Sequence, residues 1–312
     1  MVGAKELLEC HKAIAPHIHR TPVLTSRLLD HMVGAQLYFK CENFQRMGAF
    51  KMRGAIQAIM RLTEEQRNKG VVTHSCGNFA QALSLAAQSL GVKAYIVMPR
   101  TATAVKKRAV IGYGGEVFDC DPNLEAREAL SKEIEEKTGA TFIHPSNNMD
   151  VILGNSTAAT ELLQDYPDLD VILCPVGGGG LVAGTALSAH FLGRDCKVVG
   201  AEPMQADDAY RSFHSGKIEG NESADTVADG LRTKLGDINF PIILEYVSEI
   251  ERVEEKDIIS AMRLIWERLK ITAEPSCAVP FAAALQLKDE LRGKKVGIII
   301  SGGNVDLENL PF

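Results

Sequence analysis

After the first 65 residues, short apolar and β-branched runs alternate along the chain with longer stretches whose apolar positions recur at helical spacing. VVTH (71–74) precedes FAQALSLAAQSLG (79–91), and AYIVMP (94–99) precedes AVKKRAVIGYGG (104–115). EVFDCD (116–121) leads into EAREALSKEIEEKTG (125–139), and TFIHP (141–145) comes next. The same rhythm resumes with DVILCPVGGGG (170–180), KVVGAEP (197–203) and VGIIISGGN (296–304). Apolar strands alternating with amphipathic helices predict an α/β fold on parallel, doubly wound sheets. There is no internal repeat and no low-complexity linker. A second domain is therefore expected as an insertion, with the chain leaving one α/β unit and returning to it, and with a ligand cleft between the lobes.

Bulk properties narrow the function classes. A chain of 312 residues is long enough for one large domain or two modest ones. Its net charge of −6, with no long basic run, argues against nucleic-acid or anionic-membrane partners, which require clustered Lys and Arg. No apolar stretch approaches the roughly 20 residues needed to span a bilayer. MVGAKELLECHKAIAPHIHR has no hydrophobic region of signal-peptide type. The seven cysteines lack CxxC spacing and read as reduced thiols, so a cytoplasmic location is expected.

Four segments carry candidate chemistry. Gly177, Gly178, Gly179 and Gly180 follow the strand-like VILCPV and precede the helix-like LVAGTALSAHFLG. Their bare backbone N–H groups at a helix start suit a phosphate, although a tight strand-to-helix turn would use the same residues. The spacing matches neither GxGxxG nor GxxxxGK[ST]. Lys51 in GAFKMRGA stands beside Phe50 and small neighbours, so partial desolvation would lower its pKa toward nucleophilic use; the alternative is a solvated surface charge. In SCGN, Ser75, Gly77 and Asn78 are placed to turn donors toward a carboxylate at a helix start, or merely to cap that helix. Glu202, Asp207 and Asp208 in AEPMQADDAY suit a hard cation, or form an acidic helix start favoured by the macrodipole. SGGN (301–304) is a further small-residue turn after a strand.

In this order the segments resemble the fold-type II pyridoxal 5′-phosphate (PLP) enzymes of the serine racemase and serine/threonine dehydratase group. The resemblance runs through TPVLTS (21–26), FKCENFQRMGAFKMRGA (39–55), THSCGNFAQA (73–82), PVGGGGLVAG (175–184), AEPMQADD (201–208), ADGLRT (228–233), EPSCAVPFAAA (274–284) and SGGNVDL (301–307). It implies a tryptophan synthase β-like architecture, with residues 1–67 and 148–312 forming a large PLP-binding domain and 68–147 a small inserted domain. It implies Lys51 as the Schiff-base lysine, Phe50 packed near the ring, and Asn78 bonded to the 3′-oxygen. Gly177 to Gly180 with Leu181 would cradle the phosphate, and Ser301 would face the pyridine nitrogen. Ser75, Gly77 and Asn78 would grip the substrate carboxylate, with Arg127 assisting an anionic group. Glu202, Asp208 and the Ala206 carbonyl match a site for Mg²⁺, or for Ca²⁺ or Mn²⁺. A homodimer acting on a small amino acid is expected.

Two departures bear on the reaction. Cys76 stands where serine racemases carry a second catalytic Ser, and Phe79 where the group usually has His. The expected activity is β-elimination from a serine-like 3-hydroxy amino acid, giving a 2-oxo acid and ammonia. Serine racemase and 3-hydroxyaspartate dehydratase are the alternatives.

Overall fold

The computed structural model describes residues 2–312 and contains two sheets, each flanked by helices. The first has six strands in the order β1 (Val23–Leu24), β2 (Gln36–Cys41), β10 (Lys295–Ile300), β7 (Val171–Pro175), β8 (Lys197–Pro203) and β9 (Glu249–Val253). All its pairs are parallel except β1 with β2. The second has four parallel strands in the order β5 (Glu116–Cys120), β4 (Ala94–Pro99), β3 (Val71–His74) and β6 (Thr141–Phe142). All four lie in sequence between β2 and β7, so the second sheet interrupts the first.

The apolar runs become strands because both faces of each sheet are covered. In β7, Val171 and Leu173 face one buried cluster while Ile172 and Cys174 face another. In β10, Val296, Ile298 and Ile300 join the first cluster and Ile299 the second. This is the period-2 alternation of a strand with no wet side. The helix Glu255–Leu269 buries Ile258, Ala261, Met262, Ile265 and Leu269, spacings that make one helical stripe. Burying one such aliphatic side chain contributes about 1.5–3 kcal/mol. Among the described residues no helix is long and apolar enough to cross a membrane.

The order of the large sheet also places a site. The chain reaches β7 and then proceeds through β8 to β9, while β10 returns on the other side of β7. The carboxyl ends of β7 and β10 therefore adjoin at a switch in strand order, where open α/β sheets leave a ligand crevice. The glycine run follows β7, and Ser301 follows β10.

The helix Lys51–Arg61 packs against both Asn78–Ser89 and Met149–Asp165. Its Arg53 is wholly buried and forms paired bonds to Glu42 (2.6 and 2.9 Å) and to Glu161 (2.9 and 2.8 Å). Buried Lys40 completes the group, donating to Glu161 at 2.6 Å and to the Thr21 carbonyl at 2.8 Å. Burial alone would raise Glu161, but hydrogen bonds from His11 and Arg53 hold it well below the ordinary carboxylate range. The two carboxylates and two cations thus satisfy one another where water is excluded.

Candidate active site

Three loops meet the amino end of the Lys51 helix. Ala49 bridges to Gly302, and the Phe50 N–H donates to the Ser301 carbonyl at 3.0 Å, tying this helix start to the end of β10. The Lys51 amine donates to the Pro145 carbonyl at 2.7 Å. It lies 4.9 Å from the centre of the Phe50 ring and 5.6 Å from that of Phe79. Burial lowers its pKa to about 8, against the opposing pull of the Glu274 carboxylate. A lysine in this state has an accessible neutral form with a nucleophilic lone pair.

Pro145 belongs to a rigid turn. His144 Nδ1 accepts from the Ser146 and Asn147 backbone N–H groups at 3.2 and 2.8 Å. Burial first, then the positive charge of His74 and Lys51, pushes His144 down to about 4, so the ring stays a neutral acceptor. Ser146 packs directly on the glycine run. A Cβ at Gly178 would lie 2.4 Å from Ser146 Oγ, and one at Gly180 would lie 2.8 Å from the Ser146 carbonyl. Gly179 is left-handed at φ +82°, and all four glycines are buried. Side chains here would fill the loop, whereas bare backbone leaves donors at the start of helix Gly180–Leu192. Leu181 is buried on its first turn. Lys51 is therefore linked to the glycine run through the Pro145–Ser146 turn, and to Ser301 through the neighbouring Phe50 N–H.

The SCGN loop approaches from the second sheet. Ser75 is held by its N–H to the Val97 carbonyl, and Gly77 N–H approaches Ser75 Oγ at 3.4 Å. Asn78 opens the helix Asn78–Ser89 and donates through Nδ2 to both Glu274 oxygens, at 3.0 and 3.1 Å. Cys76 is half-buried, unlike the other six cysteines, which are buried. Phe79 is buried beneath Lys51. Arg127, on the helix Leu124–Thr138, donates to the Asn123 carbonyl of its own helix at 3.2 Å. Burial first, and then the Arg127 charge, depress His74 at the end of β3.

Glu202, at the end of β8, is buried and accepts the Ala209 and Tyr210 N–H groups at 3.0 and 2.7 Å. Burial, and the nearby charge of Asp208 and Asp207, push it up to about 9. Asp208 accepts from Asn221 through Oδ1 at 2.5 Å, while its buried Oδ2 has no partner. Asp207 corrects the sequence grouping of three acids. It is drawn away by Arg211 at 2.8 Å and by Arg252 at 3.0 Å, the latter arriving from β9. Among the described residues no three His, Cys, Asp or Glu side chains gather as a metal-binding group.

Glu274 went unassigned in the sequence. It is buried, and burial together with the Asp229 charge pushes it up to about 7 despite the Asn78 hydrogen bond. The available signal was an acid directly before Pro275 at the head of the apolar PSCAVPFAAA, where a charge is out of place unless paired. Pro145 acts through its carbonyl, which no side-chain pattern reports.

A partly neutral lysine amine linked to a run of bare glycine backbone at a helix start has the parts that a phosphorylated aldehyde cofactor requires. The chain belongs to the pyridoxal-phosphate dependent enzymes, whose family model matches residues 14–302. It is 46% identical over 308 residues to a β-hydroxyaspartate dehydratase of Paracoccus denitrificans, covering 99% of this chain and 98% of that protein. It is 49% identical over 313 residues to a serine racemase of Dictyostelium discoideum, covering 99% and 97%. The crystal structure of serine racemase from Dictyostelium discoideum superposes with a TM-score of 0.94 at 50% identity, over 98% of this chain and 99% of that one.

Proposed function

We propose that this chain is a dehydratase that eliminates water from a serine-like 3-hydroxy amino acid, leaving a 2-oxo acid and ammonia. The carrying observation is the Lys51 amine, lowered to about 8 and held at the Pro145 carbonyl beside the glycine run. The β-hydroxyaspartate dehydratase relative, similar over nearly the whole chain, supports this reading, and the serine racemase relative supports the second reading below. Lys51 would hold the cofactor, Gly177 to Gly180 and Leu181 its phosphate, Asn78 its 3′-oxygen and Ser301 its ring nitrogen, with Phe50 packed near the ring. When bound, PLP supplies an electron sink for the charge left at the α-carbon. Lys51 Nζ, partly neutral near pH 8, is placed to take up the α-proton. Ser301 offers a neutral hydroxyl where a carboxylate would strengthen that sink, which favours prompt loss of the β-hydroxyl. Ser75, Gly77 and Asn78 bind the substrate carboxylate, and Arg127 contributes a guanidinium for an anionic group.

Residues 68–147 form the inserted domain in this reading, supported by the placement of β3 to β6 within them. Glu202, Asp208 and the Ala206 carbonyl would hold Mg²⁺, or Ca²⁺ or Mn²⁺. The unpartnered Asp208 Oδ2 and the uncompensated charge near Glu202 suit a hard cation completed by carbonyl and water oxygens. A cytoplasmic homodimer completes the proposal.

Racemisation is the second reading, favoured by the half-buried Cys76 thiol in the loop that also carries Ser75. The deciding experiment incubates the PLP-loaded protein with L- and D-serine, L-threonine and 3-hydroxyaspartate, scoring 2-oxo acid and inverted enantiomer. Dominant 2-oxo acid formation, abolished together with the bound-cofactor absorbance in Lys51→Ala, is expected. Inversion outpacing elimination on every substrate would replace the dehydratase with the racemase.

A further inference from the structure

Asn304 closes SGGN, and its side-chain nitrogen makes two contacts at once. Nδ2 donates to the Met47 carbonyl at 2.9 Å and to Asn78 Oδ1 at 2.8 Å. A carbonyl can only accept, so Met47 fixes which end of the Asn304 amide faces it. The second Asn304 proton then occupies the oxygen of Asn78. At the far end Asn78 Nδ2 faces the two oxygens of Glu274, which as a carboxylate also only accepts. The two ends of this chain of bonds therefore impose the same orientation on the Asn78 amide. The two Glu274 oxygens belong to one carboxylate and share one Asn78 N–H, so the fixed amide keeps its second N–H to offer a ligand.

Asn304 is itself exposed, and what holds its side chain is the Met47 carbonyl and the space left before Lys51. Gly48 is left-handed at φ +80°, and a Cβ there would lie 2.6 Å from Asn304 Oδ1, so the bare backbone before Lys51 is what admits this side chain. Glu274 is itself fixed by its N–H to the Gly302 carbonyl at 3.0 Å.

We propose that Asn304 is a positioning residue that locks the Asn78 amide with its nitrogen toward the cofactor's phenolic oxygen, so that this oxygen always meets a donor. The proposal rests on the assignment of Asn78 to that oxygen. A donor favours the deprotonated phenolic oxygen, whereas an amide turned end for end would present an acceptor and favour the protonated one. The balance between the two absorption bands of the bound cofactor reports this protonation.

The test compares the PLP-loaded wild type with Asn78→Ala, Asn304→Asp, Asn304→Ala and the Asn78→Ala/Asn304→Ala pair. It records the band ratio, PLP affinity by titration of the cofactor-free protein, and the cofactor-free unfolding midpoint. Asn304→Asp keeps the shape beside Gly48 while removing the donor, so it separates orientation from packing. Both Asn304 variants are expected to shift the band ratio in the direction of Asn78→Ala and to weaken PLP about tenfold, the scale of one charge-assisted hydrogen bond. The pair should add no further shift beyond Asn78→Ala alone. A shift in Asn78→Ala with wild-type ratios in both Asn304 variants overturns the proposal and leaves the Asn78 assignment standing. A lowered unfolding midpoint in the Asn304 variants without any band shift also overturns it, since packing alone would then explain the residue. A wild-type spectrum in Asn78→Ala defeats the assignment of Asn78 and the proposal with it.

Discussion

Replacing Glu274 by Gln should remove a pH-dependent loss of stability from the cofactor-free protein. The folded carboxyl sits at about 7, because burial disfavours its charge and Asp229 adds a like charge, while Asn78 and Lys106 offset only part of this. Unfolded, the group returns to its ordinary value of about 4.5. Between these values the native protein binds more protons than the unfolded chain, so stability is greatest at low pH and falls as pH rises through the window. A difference near 2.5 pH units at about 1.36 kcal/mol each gives a loss of roughly 3 kcal/mol, most of it between pH 5 and 8. Glutamine stays neutral throughout and keeps an oxygen for Asn78 Nδ2. Denaturant unfolding of both proteins across pH 5 to 8 should show the variant gaining on the wild type by roughly 2–3 kcal/mol toward the alkaline end. A stability difference that stays flat with pH would refute the reasoning. A wild type that gains on the variant as pH rises would show the carboxylate to be over-compensated by Asn78 and Lys106.

Three other perturbations follow from the same geometry. Arg53→Met leaves Glu42 and Glu161 facing each other without their shared cation, and should destabilise the protein by about 3–5 kcal/mol in denaturant unfolding; a loss under 1 kcal/mol would mean that water reaches the cluster. Chelation should lower both the melting temperature and the activity of the purified enzyme, with Mg²⁺ restoring them, and indifference in both assays would remove the cation from Glu202 and Asp208. Cys76→Ser should raise D-serine relative to pyruvate formed from L-serine, and an unchanged ratio would make Cys76 a space-filling thiol.

What the sequence disclosed was mostly what adjacent residues decide. KVVGAEP became β8 over its whole length, because every second residue finds a covered face. TFIHP shortened to Thr141–Phe142, since the His144 ring bonds to the following backbone and bends the chain into the turn that carries Pro145. QLYFKC drew no strand assignment, and its wholly buried Lys40 is a residue type that is almost never fully buried unless paired. The partner that makes it suitable, Glu161, lies 121 residues away. Asp207 was misgrouped for the same reason: spacing set three acids side by side, but Arg252 from another strand takes one of them out. Glu274 and Asn304 stood within quoted motifs, yet their meaning depends on Asn78, 196 and 226 positions distant.

The distribution of these contacts also explains how the interior around the Lys51 helix tolerates so many ionisable groups. Glu42, Glu161, Arg53 and Lys40 are buried as a closed set whose charges cancel, so they hold the Lys51 helix rigidly without competing for the reacting groups. Lys51 and Glu274 are different, because neither has a full counter-charge bonded to it. Lys51 meets a carbonyl and Glu274 an amide, and both are displaced toward neutrality, to about 8 and about 7. Carbonyls and amides orient such groups without fixing their protonation state, whereas an ion pair would fix it. A proton can therefore be added or removed near neutral pH at these two positions and not in the network that supports them, which is the division of labour that acid–base chemistry on a bound amino acid requires.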